Sequence, residues 1–312
     1  MNIDFFTRTS SMKILSKIIV IAGPTASGKS ALAVKIARKF RGEIISADSR
    51  QVYEGMDIGT GKITKKEMAK IPHYLLDVAN PKKQFTVTQY KRLAERTIKK
   101  IIDNKKVPII CGGTGFYIQA LTENISIPKI KPDAKLRVVL EKKSTKELFD
   151  QLKKLDPRRA KNIDKNNRRR LIRALEIIIK SGKKVPELKS APKYEALIIG
   201  VKRGARELKD SIKTRFLKRL KQGMVKEVIK LKKSGLSWKK LEDFGLEYRY
   251  IAYYLQNKLS YDEMVSKLQK EIEHYAKRQI TWFNRDKKIC WVENPREAEK
   301  LVKNFLQKSP TA

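Results

Sequence analysis

The apolar positions of this chain alternate between two periods. Ile18-Ile-Val-Ile-Ala22 is a continuous β-branched run bounded by glycine, the pattern of a strand buried on both faces. In Ala31-Leu-Ala-Val-Lys-Ile-Ala-Arg38 the apolar residues move to helical spacing. Glu43–Ala47 predicts a second strand, and Ile71–Val78 a strand or extended segment before a turn at Asn80-Pro81. Val87 to Asp103 predicts a long amphipathic helix, with Tyr90, Leu93, Ala94, Thr97, Ile98 and Ile101 at i, i+3, i+4 spacing. Val107-Pro-Ile-Ile-Cys111 predicts a third strand, followed by a helix-like stretch from Ile118 to Leu121. Strands alternating with helices imply an α/β fold around a parallel sheet.

The texture changes at Ile125. Ile127-Pro-Lys-Ile-Lys-Pro132 has the look of a hinge, and the stretch to about Pro186 is helical and basic, with no β-rich run. Asp156-Pro157 starts a helix. Leu171, Ile172, Leu175 and Ile178 give a packed face on another, which Ser181-Gly182 ends. Tyr194–Val201 is again strand-like, so the sheet resumes and residues 126–193 read as an all-helical insertion. Beyond it the spacing predicts one helix from about Glu207 to Ser234, with Ile212, Phe216, Leu220 and Val228 inward. Two more helices are expected over Trp238–Gln256 and Tyr261–Trp282, then a strand over Lys288–Val292 and a helix over Pro295–Leu306. The expected organisation is a flexible extension (1–17, with Met12 an alternative start), a first core segment (18–125), the insertion (126–193) and a second core segment (194–312). No internal repeat is visible.

Charge narrows the partners. The chain has 312 residues and 72 Lys+Arg against 33 Asp+Glu, a net charge of +39. That excess favours a polyanion bound through phosphate contacts and counterion release. Two cysteines, Cys111 and Cys290, lie in apolar runs and read as buried free thiols, suiting a reducing, cytoplasmic setting. With only His73 and His274 beside them, a zinc finger at recognisable spacing is excluded, and His73 reads as structural. No apolar run approaches the roughly 18–20 residues of a membrane span, and residues 1–17 hold no signal-peptide core. No membrane is expected, and a monomer is.

Against that background one stretch carries specific chemistry. Gly23-Pro24-Thr25-Ala26-Ser27-Gly28-Lys29-Ser30 is G-x-x-x-x-G-K-S between a predicted strand and a predicted helix. This is the context that makes the pattern a phosphate-binding loop. Backbone amides, about half a positive charge from the helix N-terminus and the Lys29 ammonium converge on a di- or triphosphate. The Ser30 hydroxyl is placed to ligate Mg²⁺. The expected fold is therefore a P-loop NTPase-like parallel sheet flanked by helices. Asp48 follows the second strand, at the sheet edge where open α/β folds bind ligands. It suits a Mg²⁺ ligand or a general base, or it caps a helix. Gln51 and Tyr53 add hydrogen bonding and stacking. Gly112-Gly-Thr114-Gly115 ends the third strand and offers further backbone donors, or makes a tight turn. Arg168, Arg169, Arg170 and Arg173 crowd two helical turns and suit phosphate-backbone contact, and Arg215 and Arg219 lie four apart on one face. Tyr275-Ala-Lys-Arg-Gln-Ile-Thr-Trp-Phe283 interleaves cations with aromatics, as bound unpaired bases require.

Three motifs in order, Gly23–Ser30, Asp48-Ser-Arg-Gln-Val-Tyr53 and Gly112-Gly-Thr-Gly-Phe-Tyr117, together with Arg168–Glu176 and Tyr275–Phe283, closely resemble the tRNA dimethylallyltransferase (tRNA isopentenyltransferase) family over about residues 18–292. The resemblance implies transfer of a dimethylallyl group from dimethylallyl diphosphate to the exocyclic amine of the adenosine 3′ of the tRNA anticodon. It implies Asp48 as general base, Thr114 on the oxygen between carbon and phosphorus, and, less distinctively, Arg215 near the diphosphate. It also implies that the flipped base is held by a tRNA-binding set: Asp48, Ser49, Arg50 and Gln51, then Asn167, Arg168, Arg169, Arg170 and Leu171 on the anticodon stem, and Lys277, Arg278 and Gln279 along an RNA channel. Gly245-Leu-Glu-Tyr-Arg249 departs from the family's Gly-Tyr pair, which puts the contact of Tyr248 in doubt, and Phe116 replaces a common Leu. No zinc-finger extension follows the last strand, so a bacterial type is expected. Three rivals share features with this reading: a small-molecule kinase or nucleotidase, a transferase that prenylates free adenine nucleotides, and a non-catalytic RNA-binding ATPase.

Overall fold

The computed structural model describes residues 15–128, 130–187 and 191–308. The chain divides into two compact units, one built from the segments up to Asn124 and from Pro192 onward, the other from Ile125–Ala191. The larger unit begins with β1 (Ser16–Ala22), α1 (Lys29–Lys39), β2 (Gly42–Ser46), α2 (Lys65–Met68), β3 (His73–Tyr74), α3 (Val87–Asp103), β4 (Val107–Gly112) and α4 (Gly115–Thr122). The helical unit contributes α5 (Ala134–Glu141), α6 (Thr145–Leu155), α7 (Pro157–Lys161) and α8 (Arg168–Ser181). The larger unit then resumes with β5 (Tyr194–Val201), α9 (Ala205–Lys221), α10 (Met224–Lys233), α11 (Trp238–Phe244), α12 (Leu246–Leu255), α13 (Tyr261–Phe283), β6 (Ile289–Val292) and α14 (Pro295–Gln307).

The sheet is parallel throughout, in the order β3-β2-β4-β1-β5-β6. Its interior strands are apolar at successive positions because both faces are covered. Ile19, Ile21, Ile44, Ile109 and Ile199 pack with residues of α1 and α14, among them Ile36, Ala298 and Val302. Their alternates Ile18, Val20, Ile45, Ile110 and Ile198 pack with Tyr90, Ala94 and Ile98 of α3 and Ile118 and Leu121 of α4. A third cluster joins α9 to α13 around Phe216, Met224, Tyr248 and Leu268 and takes in Val52, Tyr53 and Met56 from the segment after β2. The strand order puts the C-terminal ends of β2, β4 and β1 side by side, and the loops that follow them carry the candidate chemistry.

Some boundaries differ from the expectations. β1 starts at Ser16, so residues 16 and 17 of the expected extension are strand, and Lys17 Nζ donates to Phe305 O at 2.8 Å. Residues 1–14, with Met12, lie outside the described residues. The single helix expected over 207–234 is two, because Gly223 adopts φ +98° between α9 and α10. Trp238–Gln256 likewise breaks at Gly245 into α11 and α12. Both cysteines are free, but only Cys111 is buried and Cys290 is half-buried.

The helical unit has its own core, with Leu140, Leu148, Leu152, Leu171 and Leu175 inside it. Glu176 is fully buried there and accepts from Arg137 Nε (2.8 Å) and Nη2 (2.9 Å), Asp133 N (2.7 Å) and Arg173. Burial alone would raise its pKa, but these bonds hold it below the usual glutamate value.

Candidate active site

The loop after β1 folds as its motif requires. Gly28 sits at φ +90°, a conformation that costs a side chain dearly, and so turns the chain into α1. Lys29 folds back to donate from Nζ to Pro24 O at 3.0 Å. Burial lowers the Lys29 pKa; the nearby Arg215 cation pushes it the same way, while Asp48 opposes. Ser27 is 2% exposed, and its Oγ has no hydrogen-bond partner among the described residues. A buried hydroxyl without a partner costs free energy unless a ligand satisfies it. The loop therefore fits an anion on its own geometry.

Asp48 stands just past β2. Its Oδ1 accepts from Arg50 N (2.8 Å) and Gln51 N (3.3 Å), which fixes the turn, and its Oδ2 has no partner among the described residues. No helix follows Asp48 directly, so it fixes a turn rather than capping a helix, and one carboxylate oxygen is left over. Thr114, after β4, accepts at Oγ1 from Ser49 N (3.0 Å) and donates its N–H to Ala47 O (3.1 Å). It ties the end of β4 to the Asp48 turn and leaves its hydroxyl proton to donate elsewhere.

The glycines beside Thr114 have a different reason from extra backbone donors. A Cβ on Gly112 would run into the Ala47 carbonyl, one on Gly113 into the Gln279 amide, and one on Gly115 into the Trp282 indole. They are clearances for the neighbouring strand and for α13. Through that clearance Gln279 bridges the two loops: its Oε1 accepts from Thr25 N (2.8 Å) and its Nε2 donates to Gly113 O (2.9 Å). Its amide thus holds the two loops together, and the residue lines the cavity as well.

These pieces face one cavity of about 300 Å³ within the larger unit. Thr25, Lys29, Ser30, Asp48, Ser49, Arg50, Gln51, Arg215, Arg278 and Gln279 line it; Lys277 is exposed and does not. Gly23, Pro24, Ala26, Ser27, Gly28 and Thr114 are not among its lining residues, although Gly28 is exposed and Thr114 half-buried. The cavity also takes in Arg219, Phe244, Tyr248, Tyr250 and Tyr275. Arg219, Tyr248 and Tyr275 lay in stretches already noted in the sequence; Phe244 and Tyr250 come from helices whose apolar periodicity marks them as core. Tyr248 has its place despite the departure at Gly245–Arg249: it is 2% exposed and its hydroxyl donates to Glu227 Oε1 at 2.8 Å. Arg50 lies over the Phe244 ring, 5.7 Å from its centroid. Arg215 Nη2 donates to Gly61 O at 2.8 Å, and burial, then the adjacent Arg219, lower its pKa. Arg219 is paired with Glu247 (2.9 Å), so of the two guanidiniums Arg215 is the one left to meet an anion in the cavity.

Among the described residues, no group of three or more His, Cys, Asp or Glu could hold a metal ion unaided. The hard oxygens of Ser30 and Asp48 fit Mg²⁺ only with ligands from a bound phosphate and water, the arrangement this ion prefers.

The helical unit corrects part of the expected tRNA set. Leu171 is fully buried in its core, leaving its side chain no surface for RNA. Asn167 caps α8, its Oδ1 accepting from Arg170 N (3.2 Å). Arg168 donates to Lys143 O (2.6 Å) and Glu141 O (2.8 Å) at the end of α5, and Arg173 donates to Glu176 and Ile130 O. Arg168 and Arg173 are thus engaged by acceptors inside the unit. Arg169 and Arg170 are exposed.

A model of the IPP transferase family matches residues 51–286. A tRNA dimethylallyltransferase of Thermoanaerobacter sp. (strain X514) is 40% identical over 304 residues, covering 93% of this chain and 96% of that protein. The chain belongs to the tRNA dimethylallyltransferase family. Another dimethylallyltransferase relative, from Syntrophus aciditrophicus (strain SB), is 41% identical over 288 residues, covering 90% of this chain and 94% of its own. The solved tRNA isopentenylpyrophosphate transferase of Bacillus halodurans matches with a TM-score of 0.71 at 34% identity, over 93% of this chain and 95% of that one. A eukaryotic dimethylallyltransferase described as acting on tRNA matches with a TM-score of 0.81 at 25% identity, over 95% of this chain and 82% of that one. Among the described residues of this dimethylallyltransferase, no helix is long and apolar enough to cross a membrane.

Proposed function

We propose that this chain transfers a dimethylallyl group from dimethylallyl diphosphate to the N6 amine of the adenosine 3′ of the anticodon in tRNA, releasing diphosphate. The observation that carries the reading is the meeting of the phosphate loop, Asp48 and Arg215 around one cavity with aromatic walls. Membership of the dimethylallyltransferase family, rather than the carboxylate alone, sets this reading above a kinase or a non-catalytic ATPase. In the reaction the adenine nitrogen forms a bond to the allylic carbon as the carbon–oxygen bond breaks, and the electron pair leaves with the diphosphate. Asp48 Oδ2 accepts the amine proton. Thr114 donates its hydroxyl proton toward the bridging oxygen, and Lys29, Arg215 and the loop amides hold the growing charge of the leaving group. Ser30, with the diphosphate, holds a Mg²⁺ that neutralises part of that charge when bound.

Tyr275 and Phe244, with Arg278 (5.9 Å) and Arg50 (5.7 Å) over their rings, make a mixed aromatic and cationic wall for the extruded nucleotide. The net charge of +39 and the exposed Arg169 and Arg170 support binding of the anticodon stem.

The test is to incubate the protein with dimethylallyl diphosphate, Mg²⁺ and unmodified tRNA and to analyse nucleosides by mass spectrometry. An isopentenyl-adenosine is expected; ATP turnover with no such product would overturn the reading. Asp48→Asn keeps an acceptor for the Arg50 and Gln51 amides but cannot take a proton. It should lower kcat by about 100-fold or more while tRNA binding persists, and undiminished kcat would remove Asp48 from the base role.

A further inference from the structure

The segment Asp57–Gly61 crosses the edge of the cavity with its main chain fully engaged on both sides. On one side three successive amides, Asp57 N (2.9 Å), Ile58 N (2.6 Å) and Gly59 N (3.0 Å), donate to the carboxylate of Glu227 on α10, which also accepts from Tyr248 OH (2.8 Å). On the other side its carbonyls receive arginines. Arg219 Nη1 donates to Gly59 O (2.8 Å) and Arg215 Nη2 to Gly61 O (2.8 Å), with Gln51 Nε2 also at Gly61 O (3.3 Å). Two clearances make the arrangement specific. A Cβ on Gly59 would lie 2.7 Å from the Tyr248 ring, and one on Gly61 2.5 Å from Arg215 Nη2.

We infer that Glu227 is a positioning residue for the transfer reaction: it folds the 57–61 segment so that Gly61 O orients Arg215 toward the leaving diphosphate. Glu227 is not among the residues lining the cavity, so it acts only through this segment. A carboxylate is the group the geometry demands. It offers enough lone pairs for three converging amides and a hydroxyl, where a neutral amide would offer one acceptor oxygen and point N–H groups at N–H groups. The contact at Gly61 fixes one nitrogen of the Arg215 fork and so the direction of the rest of the guanidinium. Held this way, Arg215 loses little side-chain freedom when the anion arrives.

The inference rests on the proposed diphosphate chemistry, and the experiment separates the two. Steady-state kinetics of the full chain with dimethylallyl diphosphate and tRNA are compared for wild type, Glu227→Gln, Arg215→Ala and the double variant. Glu227→Gln should lower kcat/KM for the diphosphate about 10- to 100-fold with KM for tRNA within about twofold of wild type. In the Arg215→Ala background the same change should cost less than about twofold, because its effect runs through the arginine. Amide exchange at residues 57–61 should quicken in Glu227→Gln while β1 and β4 keep their protection. Gly61→Ala attacks the same contact from the other side and should show the same dependence on Arg215. The inference is overturned by an active wild type in which Glu227→Gln costs as much without Arg215 as with it. It is equally overturned if Glu227→Gln abolishes the cooperative melt while Gly61→Ala acts independently of Arg215. A folded wild type that releases no diphosphate overturns the functional reading itself, and this inference with it.

Discussion

Two glycine-rich loops follow neighbouring strands, β1 and β4, at one edge of the sheet, and their glycines answer different demands. In the loop after β1, Gly28 is needed for its backbone: φ is +90°, and the only atom near a Cβ there would be Arg203 Nη2 at 3.9 Å. The space beside it is open. In the loop after β4 the space is taken. Gly112, Gly113 and Gly115 leave room for Ala47, Gln279 and Trp282, and none of the three sits at positive φ. One loop makes a cradle; the other lets α13 approach closely enough for Gln279 to fasten the cradle in place. Glycine in a motif therefore indicates either a ligand or a close neighbour, and only the fold tells which.

Substitution to alanine should separate the two. Gly112→Ala puts a methyl into the Ala47 carbonyl between paired strands that cannot part, and is expected to cost about 3 kcal/mol or more of stability, measured by urea unfolding. Gly115→Ala meets a half-buried side chain instead and should cost about 1–2 kcal/mol, part of it recovered by Trp282→Leu. If Trp282→Leu restores nothing, the glycine is there for another reason. Gly28→Ala reverses the balance. Its stability cost should stay near 1 kcal/mol, while kcat/KM for dimethylallyl diphosphate drops by about tenfold or more as the loop amides turn away from the leaving group. Equal losses of stability and turnover at Gly28 and Gly115 would erase the distinction drawn between the loops.

The sequence made the sheet and its cradle legible because their signals are local. The buried strand runs, the helical period of α3 and α13 and the G-x-x-x-x-G-K-S spacing each sit within about twenty residues. Where reading stopped, the deciding contact came from far along the chain. The apolar period runs unbroken through Gln222-Gly223, so α9 and α10 read as one helix, although Gly223 turns the chain at φ +98°. Arg168 to Arg173 read as a cationic surface because the acceptors that engage Arg168 and Arg173, such as Lys143 O and Ile130 O, are 25 and 43 residues away. Nothing in the sequence singles out Glu227, whose three amide partners lie about 170 residues earlier. Only the anion-facing loop announces itself, since its own residues supply both the turn and the charge.

That charge gives the subtlest test of the cradle. Burial lowers the Lys29 pKa, with Arg215 adding to it, so the loop ammonium loses its proton at a lower pH than an ordinary lysine does. The unfolded chain holds that proton more tightly, so between the two values Lys29 makes stability rise with pH. Binding works in the opposite sense. A diphosphate favours the charged form, so kcat/KM for dimethylallyl diphosphate should fall along an alkaline limb that begins below the ordinary lysine range, and Lys29→Arg should move that limb upward. Calorimetry of inorganic diphosphate binding in buffers of different ionisation enthalpy gives an independent check. On that limb the wild type should take up a proton as the anion binds, and Lys29→Arg should take up less. Proton uptake unchanged by Lys29→Arg would mean that another group carries the titration and that Lys29 meets the anion already fully charged.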